Sequence, residues 1–307
     1  MNTHVAELVN VDWTTFDPWV IQPVRHQLME HSLLQLSALV ELGKRLEASG
    51  RVRTHSGSAK AETSFNDAPQ LHPNRMSAVD TLEGIGDANA WMSLLNVQSD
   101  PIYRTLVDEV LDDLKPGVDQ FDPGMCYRGG WIFVTSPHAV TPFHFDKEHN
   151  FLLQLRGHKR LYVWDHRDTA VVSEHARDHF HRTHSRELLH WREEFRERAQ
   201  VFDLTPGMGA YMPSTSPHMV ENGDEPSITM SFTYYTKATR NRALLHRTHD
   251  MMRGIGWTPP AVGRFPILDG ATAMAARVYA GTKRVGRRMV GAPVSTDAEP
   301  YAKASGS

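Results

Sequence analysis

The spacing of apolar positions divides the chain into a helical start, a β-rich middle and a helical end. Leu36, Leu39, Val40 and Leu46 recur at the interval that places side chains on one helical face. Ser32 with Gln35 forms a capping-box pattern ahead of them, and Gly50 can end the helix. A second helix is predicted from Asp100 as N-cap and Pro101 at the first helical position, through Leu106, Val110 and Leu114, stopping before Pro116. Between them, Ala90–Val97 is a short apolar run that fits a strand or a helix. From about residue 125 the runs shorten to strand length: Trp131–Thr135, Phe151–Leu155, Lys159–Trp164, Val201–Leu204, Ala210–Met212 and Ser227–Tyr235. Turn signals at Gly157, Pro206-Gly207, Pro213, Pro217 and Asn222-Gly223 separate them, and such a series predicts an all-β sandwich or barrel. A charged stretch, His166–Gln200, interrupts the series as a helical insertion. Helical patterning returns near Thr239–Arg253 and Ala271–Val290, and the small, polar residues from Ala292 onward read as a disordered tail.

Composition narrows the class. With 307 residues, 40% hydrophobic and 22% charged, the chain reads as a soluble globular protein of one large or two ordinary domains. No run approaches the roughly 18–20 apolar residues of a membrane-spanning helix, and Met1 to Trp13 lacks a signal-peptide profile. The single cysteine, Cys126, excludes an internal disulfide framework and a cysteine-based zinc site, so a cytoplasmic location is expected. The net charge of −3 hides an asymmetry: Lys237–Gly291 carries eleven Lys/Arg against two acids, and the remainder 22 basic against 34 acidic residues. A basic C-terminal region on an acidic body suggests an anionic partner, or docking on the chain's own acidic surface or on a second subunit. No phosphate-binding loop, dinucleotide fingerprint or nucleic-acid module is present.

Ten of the eighteen histidines lie between His138 and His190. Among them is His144-Phe145-Asp146, in which residues i and i+2 of a strand point to one face, so that imidazole and carboxylate can converge on one ion. Two histidines and a carboxylate on one side of a metal, with the opposite positions open, is the arrangement of non-heme Fe(II) oxygenases. His218, entering a strand after a proline-rich turn, is placed to complete that set. A second copy of the motif, His166-Arg167-Asp168, lies in a polar stretch past a strand and reads as a decoy. His175, His179, His181 and His184 permit a zinc pair at helical spacing, but without cysteine or a carboxylate framework a solvated helical face is the better reading.

The stretch Thr141–Asp165 (TPFHFDKEHNFLLQLRGHKRLYVWD), continued through Val201–Tyr235, resembles the JmjC/cupin-like, 2-oxoglutarate-dependent oxygenases, and most of all the group containing the asparaginyl hydroxylase of hypoxia-inducible factor. The resemblance covers about residues 125–236 and implies a double-stranded β-helix, a cupin or JmjC jelly roll with flanking helices. It implies that His144, Asp146 and His218 bind Fe(II), that Lys159 binds the distal carboxylate of 2-oxoglutarate, and that Thr141 and Asn150 line the same cosubstrate. Ser231 stands at a cosubstrate-lining position where the hypoxia-factor hydroxylase has asparagine, and Pro206-Gly207-Met208-Gly209 replaces the frequent Pro-Gly-Asp. The alternation of Lys159, Leu161 and Val163 puts Lys159 on an apolar face, where an unpaired ammonium is costly and a cosubstrate carboxylate would be its partner. A lysine at the mouth of the Gly157 hairpin, reaching to solvent, is the alternative.

The expected organisation is a mainly helical region over 1–124, a catalytic barrel over 125–236 with an insertion at about 166–199, basic helices over 237–291 and a tail over 292–307. The expected activity is Fe(II)- and 2-oxoglutarate-dependent hydroxylation, by O2, of an aliphatic C–H bond on a peptide or protein side chain. A small metabolite, glycan or lipid substrate, and a non-enzymatic sensor or regulatory role, are the alternatives. The apolar stripe Met274, Val278, Val285 and Met289, together with the resemblance, suggests a homodimer through the C-terminal helices.

Overall fold

Strand-length apolar runs become two antiparallel sheets in the computed structural model, which describes residues 7–289. The strands are β1 (Val9–Asn10), β2 (Gln22–His26), β3 (Val52–Ser56), β4 (Ala90–Leu94), β5 (Cys126–Thr135), β6 (Val140–His144), β7 (His149–Arg156), β8 (Lys159–Val163), β9 (Gln200–Leu204), β10 (Met208–Met212), β11 (His218–Asn222) and β12 (Ser227–Tyr235). The helices are α1 (Leu36–Ala48), α2 (Ala68–Leu71), α3 (Ala78–Glu83), α4 (Pro101–Phe121), α5 (Glu174–Thr183), α6 (Lys237–Gly254) and α7 (Pro266–Met289). One sheet runs β1-β2-β10-β7-β12-β5-β4-β3 and the other β6-β11-β8-β9. The result is a mainly antiparallel jelly-roll sandwich with flanking helices rather than a closed barrel.

Alternation along the strands sorts side chains into three cores. On β12, Ile228, Met230, Phe232 and Tyr234 join a large cluster with Leu39 and Leu42 of α1 and Leu106, Val110 and Leu111 of α4, so the helices cover the outer face of the larger sheet. Between the sheets, Leu152, Ala210 and Met212 meet Leu161, Val163, Leu204 and Val220. Phe143, Tyr162, Trp164 and Met219 cover the outer face of the smaller sheet, packed under Val171, Val172, Phe180 and Phe195 of the insertion. The insertion therefore seals the smaller sheet, much as α1 and α4 seal the larger.

Several elements depart from expectation. Residues 7–124 contribute four of the eight strands of the larger sheet, so sheet and helix do not divide near residue 125. The ambiguous run became β4, whose five residues are all buried and carry no alternation to read. Ser32–Leu34 forms a 3-10 turn capped by His31, and α1 starts after Gln35, whose amide donates to the Met29 carbonyl instead of capping. Helix α4 keeps its predicted start, with the Asp100 carboxylate accepting from the Ile102 N–H, but runs through Pro116 to Phe121. A proline deletes one helical hydrogen bond; the turn beyond it is retained because Val118 is buried and Gly117 lies against Trp13 so closely that a Cβ would sit 2.3 Å from the indole. The insertion holds α5 and a 3-10 turn at Glu193–Arg198, separated by irregular chain. Residues 292–307, expected to be disordered, lie outside the described residues. Among the described residues no helix is long and apolar enough to cross a membrane.

The β7–β8 hairpin is the tightest turn near the site. Gly157 has φ +72°, and a Cβ there would stand 2.4 Å from the Pro226 carbonyl oxygen. Gly157→Ala combines a left-handed φ with a backbone clash and is expected to cost about 1–3 kcal/mol. A lower urea midpoint at unchanged m-value is the measurement that checks it.

Candidate metal centre

Three ligating side chains meet because β11 pairs with β6 in a register that sets His218 opposite His144. A bulge follows between His218 and Val220. Asp146 lies two residues past His144, beyond the end of β6. The His144 Nε2 is 3.6 Å, and the His218 Nε2 3.9 Å, from the same oxygen, Asp146 Oδ2. The candidate ligand atoms all lie within 4.8 Å of one another, and the two imidazole-to-carboxylate gaps, 3.6 and 3.9 Å, fall within the about 4 Å that two bonds of about 2 Å reach.

The tautomers fit an ion. His144 Nδ1 donates to the Pro142 carbonyl at 2.8 Å and His218 Nδ1 to the Ser216 carbonyl at 3.1 Å, leaving both Nε2 lone pairs toward Asp146. Burial, then the nearby His218 ring, holds His144 well below its ordinary pKa; burial also lowers that of His218, against the pull of Asp146. Both imidazoles are therefore neutral and able to ligate at pH 7. Burial pushes the Asp146 carboxyl up, but opposing charge beside it outweighs burial; with both imidazoles neutral, that charge is the Arg186 guanidinium, which also donates to it, and the group stays a carboxylate.

Arg186 is the site residue the sequence did not reveal. It arrives from the insertion, donates to Asp146 Oδ1 at 2.6 Å and to the Phe145 carbonyl at 2.9 Å, and so leaves Asp146 Oδ2 for the imidazoles. Its guanidinium also bonds Asn66 and lies over the Phe180 ring. Phe65, from the segment between β3 and α2, stacks on His144 with ring centroids 3.8 Å apart and 8° between planes. Arg53 holds Phe65 in place through a hydrogen bond to its carbonyl and a cation–π contact. Behind the site, buried His149 stands 3.3 Å from Asp122 and accepts from the Ser214 N–H, while the Ser214 hydroxyl donates to the Lys147 carbonyl and the Thr215 N–H to that of Asp146. These bonds fasten the turn before His218 to the chain carrying Asp146. The three bonds made by Ser214 and Thr215 join partners more than 60 residues apart, which motif reading does not connect.

Lys159, Asn150, Ser231 and Thr141 fall in different surroundings. Lys159 is 2% exposed and has no hydrogen bond or ion pair; burial pulls its pKa down to about 7. It shares a sheet face with His218 across the β8–β11 register, four strand positions along, which is about 13 Å at the usual rise. The Asn150 Oδ1 and Ser231 Oγ are buried without hydrogen-bond partners. The Thr141 hydroxyl accepts from the Trp91 indole N–H at 2.8 Å.

The other histidine arrangements do not gather. Among the described residues one further group is close enough to hold an ion, Glu174, Asp178 and His246. Its charges are already matched, since Asp178 accepts from His246 and Arg253 and Glu174 accepts from Arg177. In the insertion, His179 pairs with Glu187, the His184 ring lies 3.1 Å from the Lys147 amine, and His175 and His179 meet edge to face. His166 is buried beside Trp19, and Asp168 pairs with Arg198.

The profile of the family described as "Cupin-like domain" matches residues 22–240. No curated protein matches the chain by sequence. Among solved structures it is similar to the Escherichia coli ribosomal oxygenase YcfD in complex with cobalt and 2-oxoglutarate, at 17% identity over 60% of this chain and 42% of that one, with a TM-score of 0.35. It is also similar to the oxalate decarboxylase of Lactobacillus farciminis (18% identity, 45% and 34% covered, TM-score 0.23) and the DMSP lyase DddQ of Ruegeria pomeroyi (14%, 35% and 38%, 0.24). The chain spans about two fifths of the length of the ribosomal oxygenase.

Two measurements test this geometry. Arg186→Ala frees Asp146 to rotate and is expected to weaken Fe(II) or Co(II) binding about 10–100-fold, read by calorimetric titration beside an unchanged far-ultraviolet spectrum. Lys159 gives a stability effect of known sign. Its folded pKa, about 7, lies below the unfolded value, so between the two the unfolded chain binds the extra proton and ligand-free stability rises with pH. Lys159→Met is expected to raise the neutral-pH melting temperature of the ligand-free protein and flatten its rise from about pH 7 to 10.

Proposed function

The chain belongs to the cupin-like domain family, and from that premise we propose that it is an Fe(II)- and 2-oxoglutarate-dependent oxygenase. Metal-binding residues alone suit several chemistries. The observation that carries this reading is the unpaired, buried Lys159 on the face that also presents His218. An ammonium without a partner in an apolar interior calls for an anion, and a dicarboxylate reaching from the ion to Lys159 supplies one at each end. Asn150 Oδ1 and Ser231 Oγ, also buried without partners, suit the polar lining of such a ligand.

Fe(II), 2-oxoglutarate and O2 bound together would supply the oxidant, one oxygen atom entering a substrate C–H bond and the other the succinate formed with carbon dioxide. The chain's own part is to hold and orient. His144, His218 and Asp146 would hold the metal ion. Arg186 keeps Asp146 turned to present Oδ2, Phe65 fixes the plane of the His144 ring, and Lys159 takes the far carboxylate. The substrate is proposed to be an aliphatic carbon of a peptide or protein side chain, following the motif resemblance to the asparaginyl hydroxylase group. The departures at Met208 and Ser231 fall on cosubstrate and substrate contacts and leave the ligand triad intact.

The deciding assay is succinate formation from 2-oxoglutarate with Fe(II) and cell extract. Wild type is expected to turn over, and His144→Ala, Asp146→Ala and chelator-treated protein are expected not to. Lys159→Ala is expected to raise the KM for 2-oxoglutarate at least about tenfold while sparing Fe(II) affinity, as loss of one charge-assisted carboxylate bond implies. Mass spectrometry of the treated extract would locate the product one oxygen heavier. Tight binding of Fe(II) and 2-oxoglutarate without turnover across a broad substrate panel would instead make the protein a sensor.

A further inference from the structure

Helix α7 is inverted relative to the usual helix on a globular body. The side packed on α6 is small, with Ala273 6% exposed and Thr272 and Ala276 half-buried. The stripe away from the body is large and apolar: Ile267, Met274 and Val278 are 92%, 68% and 62% exposed. Their spacing of seven and then four residues puts them on one line along the helix. Ile255 and Trp257, past the end of α6, are exposed at 82% and 56%. Isolated apolar side chains on a surface need no explanation; a continuous stripe of this kind marks an interaction surface.

Charge identifies what covers it. Lys237–Gly291 holds eleven Lys/Arg and two acids, Asp250 and Asp269. Neither acid is free: Asp250 is buried in an ion pair with Arg182, and Asp269 accepts the Gly263 N–H. The last turns of α7 read Lys283-Arg284-Val285-Gly286-Arg287-Arg288. A second copy on the stripe would bring two strongly cationic segments together with no carboxylate of this region to separate them. The following residues, 290–307, offer Val290, Val294 and Tyr301 as their only large apolar side chains, too few to cover it. We propose that the outer face of α7 docks on an anionic phospholipid bilayer, its apolar stripe entering the headgroup boundary and the net positive charge of the segment drawing it to the anionic surface. This surface does not depend on the chemistry proposed for the metal centre.

The test is co-sedimentation of the full chain with vesicles of phosphatidylcholine alone or mixed with phosphatidylglycerol. Binding is expected to the anionic vesicles only and to weaken sharply in about 0.5 M salt. The double substitution Met274→Glu with Val278→Glu, at exposed positions, is expected to reduce binding at least about tenfold. Leu71→Glu, exposed on a different element, should leave binding unchanged, and equal melting temperatures should show all variants folded. Failure to sediment with anionic vesicles, or undiminished binding of the double variant, overturns the proposal. So does a dimer in light scattering that the double variant disperses without any lipid binding, which would give the stripe to a second copy.

Discussion

The register between β6 and β11 is the constraint on which the candidate metal centre rests. Side chains alternate along a strand, so a slip of one residue would turn His218 away from His144 and carry Val220 out of the apolar layer between the sheets. The same slip would move Met219 off the outer core it shares with Phe143, Tyr162 and Trp164. Apolar burial on both faces of the small sheet therefore locks the positions of the ligands. At roughly 1.5–3 kcal/mol for each large apolar side chain, that burial far exceeds any single polar contact within the site. The site is precise because the cores on either side of it are.

The interior bears the cost of that precision. Lys159 holds an unmatched ammonium, Asn150 Oδ1 and Ser231 Oγ lack partners, and two imidazoles face one carboxylate across an unfilled gap of hydrogen bonds. Each lowers the stability of the ligand-free fold, since a buried polar group without a partner costs on the order of 1–3 kcal/mol. Buried polar atoms without partners occur elsewhere too, at His166, His181 and Arg177 among others, so it is the meeting of Lys159, Asn150 and Ser231 with the His144, Asp146 and His218 group between the two sheets that sets this region apart. His149 is a different case, since its Nδ1 accepts from the Ser214 N–H and lies 2.8 Å from the Tyr211 hydroxyl, and its Nε2 stands 3.3 Å from the Asp122 carboxylate.

How far the sequence could be read follows from the range of the interactions. The runs that became β5, β7, β8, β9, β10 and β12 were legible because strand-length apolar runs and turn residues are local, and His144 with Asp146 because they lie two residues apart, although Asp146 falls past the end of β6. Strand β4 was not, since so short an apolar run fits a strand or a helix, and β2 carries Pro23 and only one large apolar residue, Val24, within its span. The extension of α4 beyond Pro116 depends on Trp13, about a hundred positions away in sequence. Arg186 was hidden for the same reason: it lies in a charged stretch where every arginine has the appearance of a solvated one. Only the folded insertion reveals that this guanidinium is spent on Asp146 and the Phe145 carbonyl.

That last contact changes the meaning of the insertion. Its apolar residues, Val171, Val172, Phe180 and Phe195, cover the outer face of the small sheet, and its polar residues grip the chain just past β6. Arg186 reaches Asp146 while Lys147, the next residue, donates to the His181 carbonyl and lies over Phe180. Asp178 of α5 in turn binds His246 and Arg253 of α6. Two separate sets of contacts thus leave the insertion, one to Asp146 and Lys147 and the other to α6, on which α7 packs. Contact of this kind does not by itself transmit a signal, since coupling needs an element with two arrangements. It does make the insertion a clamp, sealing the small sheet with its apolar residues while its polar ones fix the carboxylate of Asp146 on one side and the start of the C-terminal helices on the other.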